Sequence, residues 1–182
     1  AVLVVIVALA TWMYTRNRRT SHLRDTFGPE YERTVGAKGR GAGEKELLER
    51  RERVQTLEIR PLSQPEYERF TAAWTSAQAT FVDDPSRAIT EADGLVSDVM
   101  RTRGYPVEDD FERRAADISV DHPDVVENYR AAHATALRHQ KGDATTEELR
   151  QAMVKYRALF ADLLETSDRG EAEQLVPRAE RQ

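Results

Sequence analysis

Two adjacent carboxylates, Asp83 and Asp84, lie in the segment FVDDP in the middle of a helical pattern. Paired carboxylates can hold a metal ion or pass a proton, but a divalent site needs further oxygen ligands from elsewhere in the chain. Asp84 directly precedes Pro85, and proline is favoured at the first position of a helix. Because an Asp at the N-cap accepts a backbone N–H bond, we expect Asp84 to begin a helix. Asp83 has no such local role and stays a candidate site residue.

His133 is a second candidate, because it shares a helical face with Val126 and Tyr129 and should point inward. It is either a buried neutral imidazole bonded to a carboxylate or Tyr, which we favour, or a metal ligand. A metal site needs partner ligands, and His139 lies on another face of the same helix. The sequence has neither an H-E-x-x-H motif nor a two-histidine, one-carboxylate spacing, so we expect no metal ion.

Polar side chains next to large aromatic ones form a third group, on or beside the apolar faces of three helices. The members are Trp74, Gln78, Tyr129, Arg130, Tyr156 and Arg157. They are either bundle residues whose polar tips find hydrogen-bond partners, or a groove for a peptide or small anion with Arg as the anchor. With Asp83 and His133 they make up the candidate ligand or partner groove. P-loop, kinase, nucleophile-elbow and dinucleotide motifs are absent from the sequence, so we expect no catalytic residue and no cofactor.

Amphipathic helices must position these residues. Apolar side chains recur every three or four positions over 63–81, 85–103 and 123–141 and from Thr145 onward, with a short helix near 109–117. Ser63 with Glu66, and Thr145 with Glu148, have the spacing of a capping box, and Gly104 is predicted to stop the helix over 85–103. No alternating strand pattern competes, so the sequence predicts an all-α protein built on a bundle of four main helices.

Composition excludes several classes of function. The chain has no Cys, which excludes a disulfide framework, a thiolate zinc site, an iron–sulfur cluster and a cysteine nucleophile. Its net charge of −5 is uneven, with +4 over residues 15–60 and −9 over residues 61–182. The acidic part argues against nucleic acid as a partner, since nucleic-acid binding needs a basic face.

The N-terminal run AVLVVIVALATWMY carries no charge. Fourteen helical residues span about 21 Å, short of a hydrocarbon core of about 30 Å, so we predict that upstream residues complete a transmembrane helix. The alternative is the apolar region of a signal peptide. Arg16, Arg18 and Arg19 follow the run, and this predicts a single-pass protein of the cell membrane, with the lipid bilayer as a partner and the remaining chain in the cytoplasm.

Four segments follow from these patterns. Residues 1–15 are the predicted anchor, and residues 16–60 are basic juxtamembrane helices that include a charged helix over 44–58 and a flexible Gly-rich linker, GAKGRGAG, over 36–43. Residues 61–166 are the helical bundle. The polar residues 167–182 are a predicted disordered tail.

Several stretches resemble a widespread group of uncharacterised bacterial proteins. They are W-x3-Q-x2-FVDDP (74–85), EADGLVSDVMRTRGYP (91–106), HPDVVENYRAAH (122–133), ELRQAMVKYRALF (148–160) and FGPEYERTV (27–35). The resemblance covers residues 1–165 and implies one N-terminal membrane segment followed by one helical domain. It implies no activity.

We therefore expect a membrane-anchored helical module that binds another protein or a peptide, or serves as a scaffold. The alternative is an enzyme or small-ligand receptor that uses the polar and aromatic region of the bundle. A third option is a structural role through self-association of the 44–58 helix, and the sequence leaves the oligomeric state open.

Overall fold

The computed structural model describes residues 2–107 and 110–174 of the 182-residue chain. Across these residues the secondary structure is helical throughout, with no strand, which confirms the predicted all-α class. The helices are α1 (Val2–Phe27), α2 (Pro29–Lys38), α3 (Arg40–Gln55), α4 (Gln64–Asp83), α5 (Pro85–Arg103), α6 (Phe111–Asp121), α7 (Val126–Gln140) and α8 (Thr146–Gln174).

The predicted start and stop signals operate locally. At the start of α8 the Thr145 amide donates to the Glu148 carboxylate at 2.8 Å, and the Glu148 amide donates back to the Thr145 hydroxyl at 3.3 Å. Glu66 accepts in the same way from the Ser63 amide at 2.9 Å, where α4 begins. Helix α5 ends at Arg103, and the next residue, Gly104, has a φ of 101° in the left-handed region that favours glycine.

The helical bundle is confirmed and contains the larger of two apolar cores. Helix α5 packs on α4 and α8, and α8 packs on α7. The inward faces of these helices supply most of the buried side chains, including Phe70, Trp74, Ala92, Val96, Met100, Tyr129, Tyr156, Leu159 and Leu163. Fully burying one such aliphatic or aromatic side chain contributes about 1.5–3 kcal/mol.

Helices α1, α2 and α3 form a second, smaller core. Leu23, Phe27, Tyr31 and Leu47 are each 1% exposed or less, and Val120 of α6 packs against them. This core lies within the predicted juxtamembrane segment 16–60. That segment is therefore folded onto the rest of the chain through α3 and α6, which are in contact.

The Gly-rich stretch differs from the predicted flexible linker. Helix α2 runs to Lys38, Gly39 turns the chain with a φ of 79°, and α3 begins at Arg40. A Cβ placed on Gly43 would lie 2.9 Å from the Val35 Cα, so glycine lets α3 approach the backbone of α2. Two of the four glycines therefore have a structural role, since Gly39 makes the turn and Gly43 allows the close approach of the two helices.

The structure does not support the predicted transmembrane helix over residues 1–15. Among the described residues, no helix has both the length and the apolar character needed to cross a membrane. The apolar run belongs to a helix that continues without a break through Arg18 and Arg24. The same helix buries Leu23 and Phe27 in the smaller core. The predicted localisation as a single-pass protein of the cell membrane is therefore wrong. The predicted cytoplasmic side and the expected lipid-bilayer partner were inferred from the same helix.

Two further boundaries differ from prediction. The predicted disordered tail begins at residue 167, but α8 continues to Gln174. The last part of that tail, residues 175–182, lies outside the described residues. The short helix expected near 109–117 is α6, which begins at Phe111 and continues to Asp121.

The corner between α2 and α3 gives a stability prediction. Gly43→Ala should lower the free energy of unfolding by about 1–3 kcal/mol, because the new methyl group forces α3 away from Val35. Gly94→Ala is the matched control, since Gly94 lies inside α5 with open space around it and should gain about 0.5–1 kcal/mol. Urea denaturation measures both changes, and equal effects would contradict the close approach.

Candidate functional site

The residues of the predicted groove do not lie together in one groove. Gln78, Asp83 and Arg157 are exposed. Trp74 is buried against α8, where its ring stacks on Phe160 with centroids 4.6 Å apart. The remaining four, which are Tyr129, Arg130, His133 and Tyr156, divide between two polar clusters.

The first cluster surrounds Asp93 on α5, a residue that the sequence analysis missed. The Tyr156 hydroxyl donates to the Asp93 Oδ1 atom at 3.0 Å, and His133 Nδ1 lies 3.7 Å from the same oxygen. Tyr129 accepts a bond of 2.9 Å from Arg114 Nε. The sequence did contain a signal for Asp93. It lies three residues before the buried Val96, so its side chain is on the same side of α5, at the edge of the core.

His133 occupies the edge of this cluster. Its side chain is 19% exposed, and its ring stacks on Phe111 with centroids 3.7 Å apart and planes 6° apart. The favoured interpretation placed a carboxylate or Tyr beside it, and Asp93 is that neighbour. At 3.7 Å the contact is an ion pair when the imidazole is protonated and is longer than a hydrogen bond.

The titration behaviour of the cluster follows from its surroundings. Burial acts to raise the pKa of Asp93, but the His133 imidazole and the Tyr156 hydroxyl outweigh it, so the pKa is lowered and the carboxylate stays ionised. Burial raises the pKa of Tyr129 to about 12 and also raises the pKa of Tyr156. Both phenols therefore remain neutral near pH 7, and the cluster can bind a polar group through Asp93.

The FVDDP segment is a helix junction. The Asp84 Oδ1 atom accepts from the Arg87 amide at 3.0 Å, which confirms the predicted N-cap of α5. Asp83 ends α4 and is exposed. Within the described part of the chain, no three His, Asp or Glu side chains are grouped to hold a metal ion.

The second cluster is a buried ion network, and Arg130 belongs to it instead of anchoring a ligand. Its guanidinium contacts the Glu30 carboxylate through Nη1 at 2.7 Å and Nη2 at 3.2 Å. Arg50 Nη1 reaches the same carboxylate at 2.7 Å. The Glu30 side chain is 0% exposed and both arginine side chains are 8% exposed. One carboxylate on α2 therefore ties together α2, α3 and α7.

A cavity of about 530 Å³ opens beside this network, between α2, α3 and α6. Nine of its twelve lining residues are charged: Arg33, Lys38, Glu46, Glu49, Arg50, Arg53, Asp110, Glu112 and Arg113. On its α6 side, Arg53 Nε donates to the buried Asp117 at 2.8 Å. Sequence periodicity did not predict this cavity, because its walls come from segments interpreted as a juxtamembrane region and a short helix.

A third polar group lies at the end of the bundle near residue 105. His122 is 2% exposed, and its Nδ1 atom is bonded to Asp162, while its buried Nε2 atom has no hydrogen-bond partner in the described structure. Tyr105 donates to Asp121 at 2.6 Å. Burial lowers the pKa of His122 below its usual value, although Asp162 acts in the opposite direction.

Comparisons with protein-family models, with curated proteins and with solved structures gave no match. The resemblance to uncharacterised bacterial proteins therefore stays a prediction, and the candidate site has to be interpreted from its own geometry.

The helix junction gives a prediction with a neighbouring control. Asp84→Ala should lower the free energy of unfolding by about 1 kcal/mol, because the Arg87 amide loses its acceptor. Asp83→Ala, one residue earlier and exposed, should change it by less than about 0.5 kcal/mol. Both are measured by chemical denaturation. A larger loss for Asp83→Ala than for Asp84→Ala would contradict the capping role.

The ion network should be sensitive to the loss of its carboxylate charge. Glu30→Gln should cost up to about 3–5 kcal/mol, because Arg50 and Arg130 would lose the fully buried counter-ion that they share and keep only the more exposed Glu46, Glu112 and Glu127. Glu32→Gln is the control on the same helix, since its pair with Arg24 is exposed and contributes about 0–1 kcal/mol. Similar midpoints of urea unfolding for the two variants would rule out the network as a structural constraint.

The lowered pKa of His122 makes stability depend on pH. The unfolded chain, with a His pKa of about 6.5, takes up this proton at higher pH than the folded chain does. The contribution of neutral His122 to the free energy of unfolding is therefore fully present above about pH 6.5. It decreases as the pH falls below this value, by at most about 1.4 kcal/mol per pH unit. His122→Gln should flatten the curve between about pH 7 and 5.5, whereas the exposed His22→Gln should keep the wild-type slope.

Proposed function

We propose that this chain is a helical protein-interaction or scaffold module and that the first half of α1 contacts another protein. The observation that carries the proposal is the exposure of two large apolar or aromatic side chains, Met13 and Tyr14, near the middle of α1. Among the side chains described on this helix, the buried ones are Thr20, Leu23 and Phe27, all in its second half. Met13 and Tyr14 are 65% and 60% exposed.

The sequence of the first half supports a protein partner. Residues 2–10, VLVVIVALA, contain no polar side chain, and the helical rise places Val2 about 27 Å from Thr20 along the axis. The contacts of α1 with other helices are made to α2, α3 and α6. A helical segment whose sequence is apolar on all sides is normally covered in the native state, which favours a protein partner for this part of α1.

A small-ligand receptor or enzyme is the second candidate, and the Asp93 cluster favours it. A half-exposed carboxylate and an imidazole 3.7 Å apart can bind a polar ligand or transfer a proton. We rank it second because its groups are already engaged. Tyr156 is bonded to Asp93, Tyr129 to Arg114, and the imidazole face is covered by Phe111.

The proposal can be tested by photo-cross-linking in the native cell. A photoreactive amino acid replaces Met13 in one variant of the whole chain and Val82 in the other, since both are exposed apolar positions and Val82 is 83% exposed. We expect a protein adduct of defined mass from position 13 that position 82 does not give. Mass spectrometry of the adduct separates another protein from a second copy of the chain.

No adduct from position 13, or the same adducts from both positions, would contradict the proposed function. A saturable small-molecule ligand whose binding is lost in Asp93→Asn would instead support the second candidate.

A further inference from the structure

We propose that the cavity between α2, α3 and α6 is a binding site for a small multivalent oxyanion of the phosphate class, such as pyrophosphate. Its volume of about 530 Å³ lies within the range of about 300–1,000 Å³ typical of small-molecule sites. Thr34, Arg50 and Ala116 are buried and line it. This inference is independent of the protein contact proposed for α1.

The cationic side chains outnumber the carboxylates that line the cavity, five to four. The carboxylates are also largely engaged. Asp110 caps α6 by accepting from the Glu112 and Arg113 amides at 3.0 and 3.3 Å. Glu46 is paired with Lys38 and Arg50, and Glu49 is paired with Lys45 outside the lining. A metal cation would therefore have to displace Arg or Lys. Lys38, Arg50 and Arg53 are themselves paired with carboxylates, so an oxyanion would bind chiefly through Arg33.

Arg33 offers the donors that a ligand needs. Its guanidinium lies 3.4 Å from Glu127, 3.7 Å from Glu30 and 3.8 Å from Glu112. All three distances exceed the 2.7–3.2 Å of a normal N–H···O bond. Since a guanidinium has five donors in a planar fork, an oxyanion with two or more oxygens can take bidentate bonds that these carboxylates leave unmade.

Glu112 occupies the position of a displaceable counter-ion. Its side chain is 66% exposed, and its nearest cations, Arg33 and Arg130, are 3.8 and 3.7 Å away. A ligand oxyanion can replace it at Arg33 while Glu112 turns toward solvent. A ligand with two negative charges competes better than one with a single charge, because it must exceed the attraction of a full carboxylate.

The helix ends around the cavity are compatible with an anion. The first turn of α6, with Glu112 and Arg113, lines the cavity, and the positive end of the helix dipole is located there. The negative end of α2 also reaches the cavity, and Lys38 at that end offsets it.

Isothermal titration of the whole chain with pyrophosphate at low, constant ionic strength tests the site. Wild type should bind with one-to-one stoichiometry. Arg33→Gln should weaken binding about tenfold or more, because it removes a charge-assisted fork. Arg87→Gln is the control, since Arg87 is 70% exposed on α5 and does not line the cavity.

Glu112→Gln is a second test that does not depend on the folding of Arg33→Gln, because the Glu112 side chain is largely exposed. It should strengthen pyrophosphate binding, because the substitution removes a carboxylate that competes for Arg33. Weaker or unchanged binding in Glu112→Gln would overturn the proposal. So would an absence of wild-type binding at millimolar pyrophosphate, or equal weakening by Arg33→Gln and Arg87→Gln, which would indicate attraction to surface charge alone.

Discussion

Glu30 is a carboxylate without solvent access, and the arrangement of the two cores depends on the bonds that it makes. Arg50 of α3 and Arg130 of α7 both reach it, so a single side chain on α2 fixes three helices. Removing an ion from water is costly, and the attraction offsets this cost only when the geometry of the partners is correct. The network therefore selects one relative position of the smaller core and the bundle more than it adds net stability.

Both candidate binding regions depend on that position. Arg33 lies one turn after Glu30, so fixing α2 against α7 also sets how far the Arg33 guanidinium is from Glu112 and Glu127. The bond between Arg53 and Asp117 holds α3 to α6 and closes the other side of the charged cavity. The second half of α1 belongs to the same small core, where Leu23 and Phe27 are buried.

Local signals in the sequence predicted much of the helical fold and little of the site. The cap at Asp84, the box at Thr145 and the stop at Gly104 each act within a few residues, so periodicity and turn chemistry find them. Glu30 and Arg130 are 100 residues apart in the sequence, and hydrophobic periodicity cannot predict a contact over that separation. An apolar run likewise does not specify its surroundings, which is why α1 was mistaken for a membrane span.

Native-state hydrogen exchange across α2, α3 and α7 tests most directly whether Glu30 couples the two cores. A shared buried carboxylate predicts that the most protected amides of these three helices exchange through one common opening, with the same free energy. Early, independent exchange of α2 and α3, while α7 stays protected, would contradict it. In that case the smaller core would be attached to the bundle without being held by the ion network.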